Sequence, residues 1–271
     1  MNVRVLAAAA AAALFLVGCG ERPVPPVGED AWADPVDLVG LWRVTEADEA
    51  RDTWLRLDGR EMVLWRGSAA LFGSWTADGR TIVTMVSGYS GAPGGDLDPA
   101  WLVGAHRYRV SEDGWQLEDV DGDVVASLAV DGAPDPVDTM ADWYAEPPEV
   151  TEEVRAALAP PAPLSVGTEQ AAAADLVGRW VPAGLSSDTD PHVVLDADGT
   201  WRGSDGCNGV GGRWAVSEGR LLAVEGATTL MGCPGAPVGA WMGSASYATF
   251  EGAELVLLGA DGTELGRLVR D

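Results

Sequence analysis

From Asp37 onward the chain sets out one pattern twice, and no other feature narrows its fold as much. Asp37-Leu38-Val39-Gly40-Leu41-Trp42 returns as Asp175-Leu176-Val177-Gly178-Arg179-Trp180, and Leu57-Asp58 returns as Leu195-Asp196. Arg66-Gly67-Ser68 matches Arg202-Gly203-Ser204, Trp75 matches Trp214, and Gly91-Ala92-Pro93 matches Gly235-Ala236-Pro237. Ala100-Trp101 matches Ala240-Trp241, and Asp121-Gly122 and Leu128 close the series against Asp261-Gly262 and Leu268. The order never breaks and the offset stays between 136 and 144 residues, the mark of a duplicated unit. Each copy runs to about 95 residues, a size that can fold alone.

Inside each copy, short apolar runs alternate with Asp-Gly turns, the pattern of an antiparallel sheet. The first copy is expected to form strands over 38–44, 53–57, 61–65, 71–75, 81–86, 106–110, 115–120 and 124–130. The second repeats them over 176–181, 192–195, 200–203, 212–216, 220–224, 247–251, 254–258 and 264–269. Pro99–Gly104 and Val238–Ser246 are expected to form a short helix in each copy. The fold class is therefore mainly β, with two tandem small antiparallel, barrel-like domains whose closure hides the sheet edges. The domains are expected at 37–130 and 175–271. Between them lies a connector rich in Pro, Ala and acid over 131–174, with a brief helix at Thr151–Leu158 and Met140, Trp143 and Tyr144 set against the first barrel. The rest of the connector is expected to be flexible.

The amino terminus fixes the expected compartment. Residues 1–18 carry Arg4 and then an apolar run from Val5 to Val17, too short to span a bilayer and suited to a secretory signal. The run ends in Leu16-Val17-Gly18-Cys19, which looks like a bacterial lipobox, so Cys19 is the expected lipid attachment site. Two acyl chains hold a protein at a membrane where one is marginal, each buried methylene contributing about 0.8 kcal/mol. Residues 19–36, with their Pro and acidic content, then form a tether that lifts the fold off the extracytoplasmic face. Cys207 and Cys233 are the remaining cysteines, and an oxidising exterior predicts that they pair. Closing a loop of about 25 residues would stabilise the fold by roughly 3–4 kcal/mol in the chain-entropy model. A zinc site lacks ligands, because neither His106 nor His192 stands at metal-binding spacing.

Charge and composition remove several function classes. A net charge of −25 opposes phosphate backbones and anionic headgroups, so nucleic acid is excluded as a partner. The sequence contains no lysine, which rules out Schiff-base chemistry and a phosphate-loop lysine. Its twelve tryptophans against three phenylalanines make indole the main supplier of core volume.

The stretch from Ser204 to Gly235 carries the most specific residues. They are Gly206-Cys207-Asn208, then Gly212 and Trp214, Leu221, and Thr228-Thr229-Leu230-Met231-Gly232-Cys233, preceded by Gly178-Arg179-Trp180 and followed by Leu255–Leu257 and Gly262. In these residues, from Asp175 to Asp271, the chain resembles the META domain, also called HslJ-like. The resemblance implies a small barrel of lipocalin-like topology with a short helix, in which Gly206, Asn208, Gly212, Trp214, Thr229 and Met231 are structural. It also implies an envelope or exported setting with links to stress and drug resistance, and no agreed enzymatic activity. The first copy lacks the Cys-Asn turn and has Tyr89-Ser90 near the position of Cys233, so both cysteines are missing together.

No catalytic set stands out. Gly88-Tyr89-Ser90-Gly91-Ala92 resembles a nucleophile elbow but ends in alanine with no helix after it. Asp119-Val120-Asp121-Gly122-Asp123 and Asp196-Ala197-Asp198-Gly199 lack the glycine and closing glutamate of a calcium loop and read as hairpin turns. Trp180, Trp214 and Trp241 are expected to fill the second core. The expected function is that of a membrane-anchored, non-catalytic binding or envelope-maintenance module without metal or cofactor. A secreted hydrolase using paired carboxylates and a lipocalin-like carrier of an apolar ligand are the alternatives.

Overall fold

The computed structural model describes residues 33–92, 97, 99–135, 140–185, 189–229, 231–232 and 235–271. The signal segment, Cys19, most of the tether and Cys233 lie outside the described residues. Eight strands form the first copy: β1 Gly40–Thr45, β2 Thr53–Asp58, β3 Glu61–Arg66, β4 Ala69–Asp78, β5 Thr81–Ser90, β6 Arg107–Ser111, β7 Gly114–Glu118 and β8 Val124–Ala129. The second copy has β9 Gly178–Pro182, β10 His192–Leu195, β11 Thr200–Ser204, β12 Gly209–Ser217, β13 Arg220–Glu225, β14 Tyr247–Glu251, β15 Glu254–Leu258 and β16 Glu264–Arg270. Each set closes into an antiparallel barrel in which every strand pairs with its neighbour in sequence. The expected mainly β class and barrel topology hold.

Both barrels share one thin seam. β5 meets β6 only at Thr81 opposite Arg107, and β13 meets β14 only at Arg220 opposite Tyr247. The helices α1 (Ala100–Gly104) and α4 (Val238–Ser244) are inserted at these seams, close to where the sequence predicts them. Pairing registers correct one of the sequence matches. Met62 stands opposite Gly73 and Trp201 opposite Gly212, while Trp75 and Trp214 hold the same place beyond those glycines. That aligns Met62 with Trp201 and hence Arg66 with Asp205, so the two Arg-Gly-Ser triplets are not equivalent. Gly73 and Gly212 are equivalent for a physical reason: a Cβ would come within 2.0 Å of the Met85 carbonyl oxygen in one copy and 1.9 Å of the Val224 carbonyl oxygen in the other.

The interiors are filled by side chains. Trp42, Trp75, Trp101 and Trp115 pack with Leu55, Leu64 and Leu128 in the first barrel, and Trp180, Trp201 and Trp214 with Leu195, Leu255 and Leu268 in the second. Trp241 is half-buried against this second core. Trp42 donates its indole N–H to the Leu38 carbonyl at 2.8 Å and Trp180 to the Leu176 carbonyl at 2.7 Å, one device used twice. Trp54 and Trp65 pack instead with Leu41, Val63 and Ala70 in a separate cluster, which Met140, Tyr144 and Ala145 of the connector cover.

Beyond Thr151–Leu158 and the residues set against the first barrel, the connector is not the flexible chain expected from its composition. After Thr151 caps α2 (Glu152–Leu158) through the Val154 N–H at 3.2 Å, Leu158 enters the first core. Farther on, Ala162 N–H donates to the Ala260 carbonyl, Tyr247 Oη donates to the Ala162 carbonyl at 3.1 Å, and Ala171 N–H donates to the Ala248 carbonyl. The segment thus straps both barrels through its own backbone hydrogen bonds, which Pro and Ala content does not forbid.

The barrels pack on each other through corresponding strands. β5 and β4 of the first lie against β12 and β13 of the second, with Val83 and Met85 meeting Ala215, Leu222 and Val224. Ser217 Oγ donates to the Asp78 carbonyl at 3.2 Å, Arg220 forms an ion pair with the Asp78 carboxylate, and Ser74 Oγ donates to the Glu225 carbonyl at 2.9 Å. Asp78 and Ser217 each end the fourth strand of a copy, opposite Thr81 and Arg220 respectively. Equivalent positions therefore touch, as at the axis of a two-fold dimer.

Candidate functional site

The β11–β12 turn is where the second copy departs most from the first. In the first copy Arg66 stands opposite Ala69 across a tight Gly67-Ser68 turn, whereas Ser204 stands opposite Gly209 with Asp205–Asn208 looping out between them. Arg66 is paired with Glu49, both side chains under 10 % exposed, and Glu49 also accepts the Trp101 indole N–H at 2.9 Å. At the corresponding place in the second copy, Asp205 organises a turn. Its Oδ1 accepts from the Cys207 and Asn208 N–H groups at 2.7 and 2.6 Å, and its Oδ2 accepts from Asn208 Nδ2 at 2.8 Å. Gly206 takes a φ of +105°, and a Cβ there would come within 2.3 Å of Thr189 Oγ1.

Asn208 is the keystone of this turn. Buried, it donates Nδ2 to the Met231 carbonyl at 2.9 Å and accepts at Oδ1 from the Met231 N–H at 2.7 Å, pairing with that residue as a strand neighbour would. Thr229 Oγ1 donates to the same Oδ1 at 2.9 Å. Ala236 N–H donates to the Asp205 carbonyl, and Gly235 lies so close that a Cβ would meet that oxygen at 1.8 Å. The chain on both sides of residue 233 is therefore held against the turn that carries Cys207. Trp214, farther along β12, donates to the Thr200 and Asp196 carbonyls at 3.0 and 3.2 Å and fixes the neighbouring hairpin. Met231 itself projects outward, 60 % exposed.

These walls enclose a cleft of about 440 Å³ outside the barrel, with Asp205, Asn208, Thr228, Thr229, Met231 and Glu225 among its lining, and Gly239 and Ala240 of α4 opposite. Its two acids are pushed apart in acidity. Hydrogen bonds from the Asn208 side chain and from the Asn208 and Cys207 N–H groups hold the Asp205 carboxyl below the ordinary carboxylate value. Burial raises Glu225, partly offset by the Gly243 N–H, and Glu225 Oε1 has no hydrogen-bond partner among the described residues. Sequence reading singled out the Asn208 turn but passed over Glu225, because a lone acid at a strand end carries no motif.

Residues 173–271 match the family model of the META domain. No curated protein and no solved structure matches the chain. The META match begins two residues ahead of the boundary read from the sequence and runs to the last residue. Gly206, Asn208, Gly212, Trp214, Thr229 and Met231 all lie within the matched residues, and Asn208 bonds directly to Thr229 and Met231.

The other candidate chemistry falls away on position. Tyr89 and Ser90 lie in β5 rather than on a turn into a helix. Asp119 Oδ1 accepts from the Asp121 and Asp123 N–H groups at 3.0 Å each, and Asp198 Oδ1 accepts from the Thr200 N–H at 2.9 Å, so both acidic stretches are side-chain-stabilised turns. His106 precedes β6 rather than lying in it, half-buried, where burial and then Arg107 and Arg213 lower its pKa. His192 opens β10 with Nδ1 at 2.7 Å from the Asp190 carbonyl.

Proposed function

We propose that the protein is a lipid-anchored module on the extracytoplasmic face of a bacterial membrane, non-catalytic, binding through the cleft beside the META turn. The observation that carries it is the commitment of the turn's polar atoms to the fold. Asp205 spends both oxygens, and Asn208 its whole amide, on holding the cleft wall. A wall so fixed is pre-organised for recognition and leaves Asp205 little freedom to move protons. Cys19 supplies the anchor and no nucleic acid is involved. Pairing of Cys207 with Cys233 is part of this reading, and the anchored residues on either side of 233 support it. The carrier alternative finds little room, because tryptophans fill both interiors.

The hydrolase alternative has one observation in its favour: Asp205 and Glu225 share a cleft and are shifted in opposite directions, the pattern of an acid and base pair. Labelling of expressing cells with an alkyne fatty acid tests the anchor. Label in the wild type and none in Cys19→Ser supports it, and equal label in both ends it. Hydrolysis of a glycoside panel that vanishes in Glu225→Gln would replace binding with catalysis.

A further inference from the structure

A second cleft, of about 210 Å³, lies where the two barrels and the strap meet and shares no lining residue with the first. Arg60 and Asp78 of the first barrel line it with Arg220, Ser244 and Ser246 of the second, and Ala156 to Pro161 of the strap supply an apolar wall. Asp78 is ion-paired with Arg220, while burial raises its carboxyl and its Oδ2 has no hydrogen-bond partner among the described residues. Arg60 donates one N–H to the Gly243 carbonyl at 3.2 Å, and among the described residues no carboxylate pairs with it. In a chain of net charge −25, an arginine in a cleft without a carboxylate partner is out of keeping with its surroundings. Its remaining donors, with the two serine hydroxyls, match the lone pairs of a carboxylate. The alanine, proline and leucine side would take a short hydrocarbon. The volume is below that of drug-sized sites, which sets the ligand at a few heavy atoms.

We propose that this junction cleft binds a small organic carboxylate, with Arg60 as its anchor, Ser244 and Ser246 as secondary donors and the strap as its apolar wall. Because three parts of the chain line it, the site exists only while the barrels and the strap are assembled.

The test is titration calorimetry of the full chain in detergent with sodium butyrate, using acetate and butylammonium as comparisons. Saturable butyrate binding, weaker acetate binding and none with butylammonium are expected. Arg60→Gln should weaken butyrate by about tenfold or more, Ser246→Ala by a smaller factor, and Arg60→Lys should restore part of the loss. No saturable heat at ~20 mM butyrate, well above a millimolar Kd, overturns the proposal. So does equal binding of butylammonium, or butyrate binding that neither Arg60→Gln nor Ser246→Ala changes. Since Ser246→Ala leaves the Arg60 contact with Gly243 in place, a folding failure of the arginine variants does not remove the test.

Discussion

At the scale of single residues, the second barrel depends on Asn208 and Gly212 for unlike reasons. Asn208 is a network node: removing its amide leaves Asp205, Thr229 and Met231 each short of a partner. Each net hydrogen bond is worth about 1 kcal/mol, with more lost where a buried group is left unpaired. Asn208→Ala should therefore cost about 2–4 kcal/mol, read as a lower urea midpoint with unchanged slope. Gly212 is a steric requirement, since β12 and β13 leave only 1.9 Å between its would-be Cβ and the Val224 oxygen. Gly212→Ala should cost about 3 kcal/mol or more. Gly209→Ala, at a glycine of the same strand with open space around it, should stay within about 0.5 kcal/mol. Equal melting temperatures for the two alanine variants would contradict this account.

At the scale of elements, α2 is a plug built of good helix formers but too short to stand alone. Its seven residues are too few to hold a helix in isolation, so its stability comes from Leu158 entering the first core beside the 3-10 turn Pro35–Leu38. Leu158→Ala should destabilise the first barrel by about 2–5 kcal/mol and raise amide exchange across α2 ahead of the strands. Exchange in α2 no faster than in β3 would show that the helix stands without its plug. The sixteen strands were legible in the sequence because Asp-Gly turns and short apolar runs are local signals, and the repeat confirmed each by its twin. The strap was not legible. Its Ala162 and Ala171 N–H groups donate to the Ala260 and Ala248 carbonyls, partners about 80 to 100 residues away in sequence that no local pattern announces. The Arg-Gly-Ser match misled for a related reason: identity of letters carries no register, and only the opposition of Met62 to Gly73 and Trp201 to Gly212 sets it. Within the site, the Asn208 turn was visible through its Asp-Gly and Asn-Gly pairs, while Glu225 becomes notable only once burial and α4 surround it.

At the scale of the whole molecule, the duplicated barrels are packed as a dimer within one chain. A self-complementary face needs no separate partner to evolve, because any contact favourable once is made twice about the axis. Here the copies have diverged across it: Asp78 faces Ser217, and the ion pair Arg220–Asp78 has no charged counterpart at Thr81. Burial raises the Asp78 carboxyl above its ordinary value, with Arg220 opposing the rise. A raised folded pKa means that docking favours the protonated acid. Its contribution is then fullest below the ordinary carboxylate value and is lost as pH rises through the raised one. The difference in unfolding free energy between wild type and Asp78→Asn should therefore change as pH rises above the ordinary carboxylate value of about 4, the wild type losing ground. A flat difference would show that Asp78 keeps its ordinary acidity at the junction. Leu222→Asp tests the docking itself by placing a carboxylate against Val83 and Met85. Since the cores are separate, each barrel should survive the change while their coupling does not. Calorimetry should then resolve two transitions where the wild type gives one. A single transition merely shifted down would mean that the strap, which crosses from Leu158 to Ala171, joins the barrels firmly enough without the sheet-to-sheet contact.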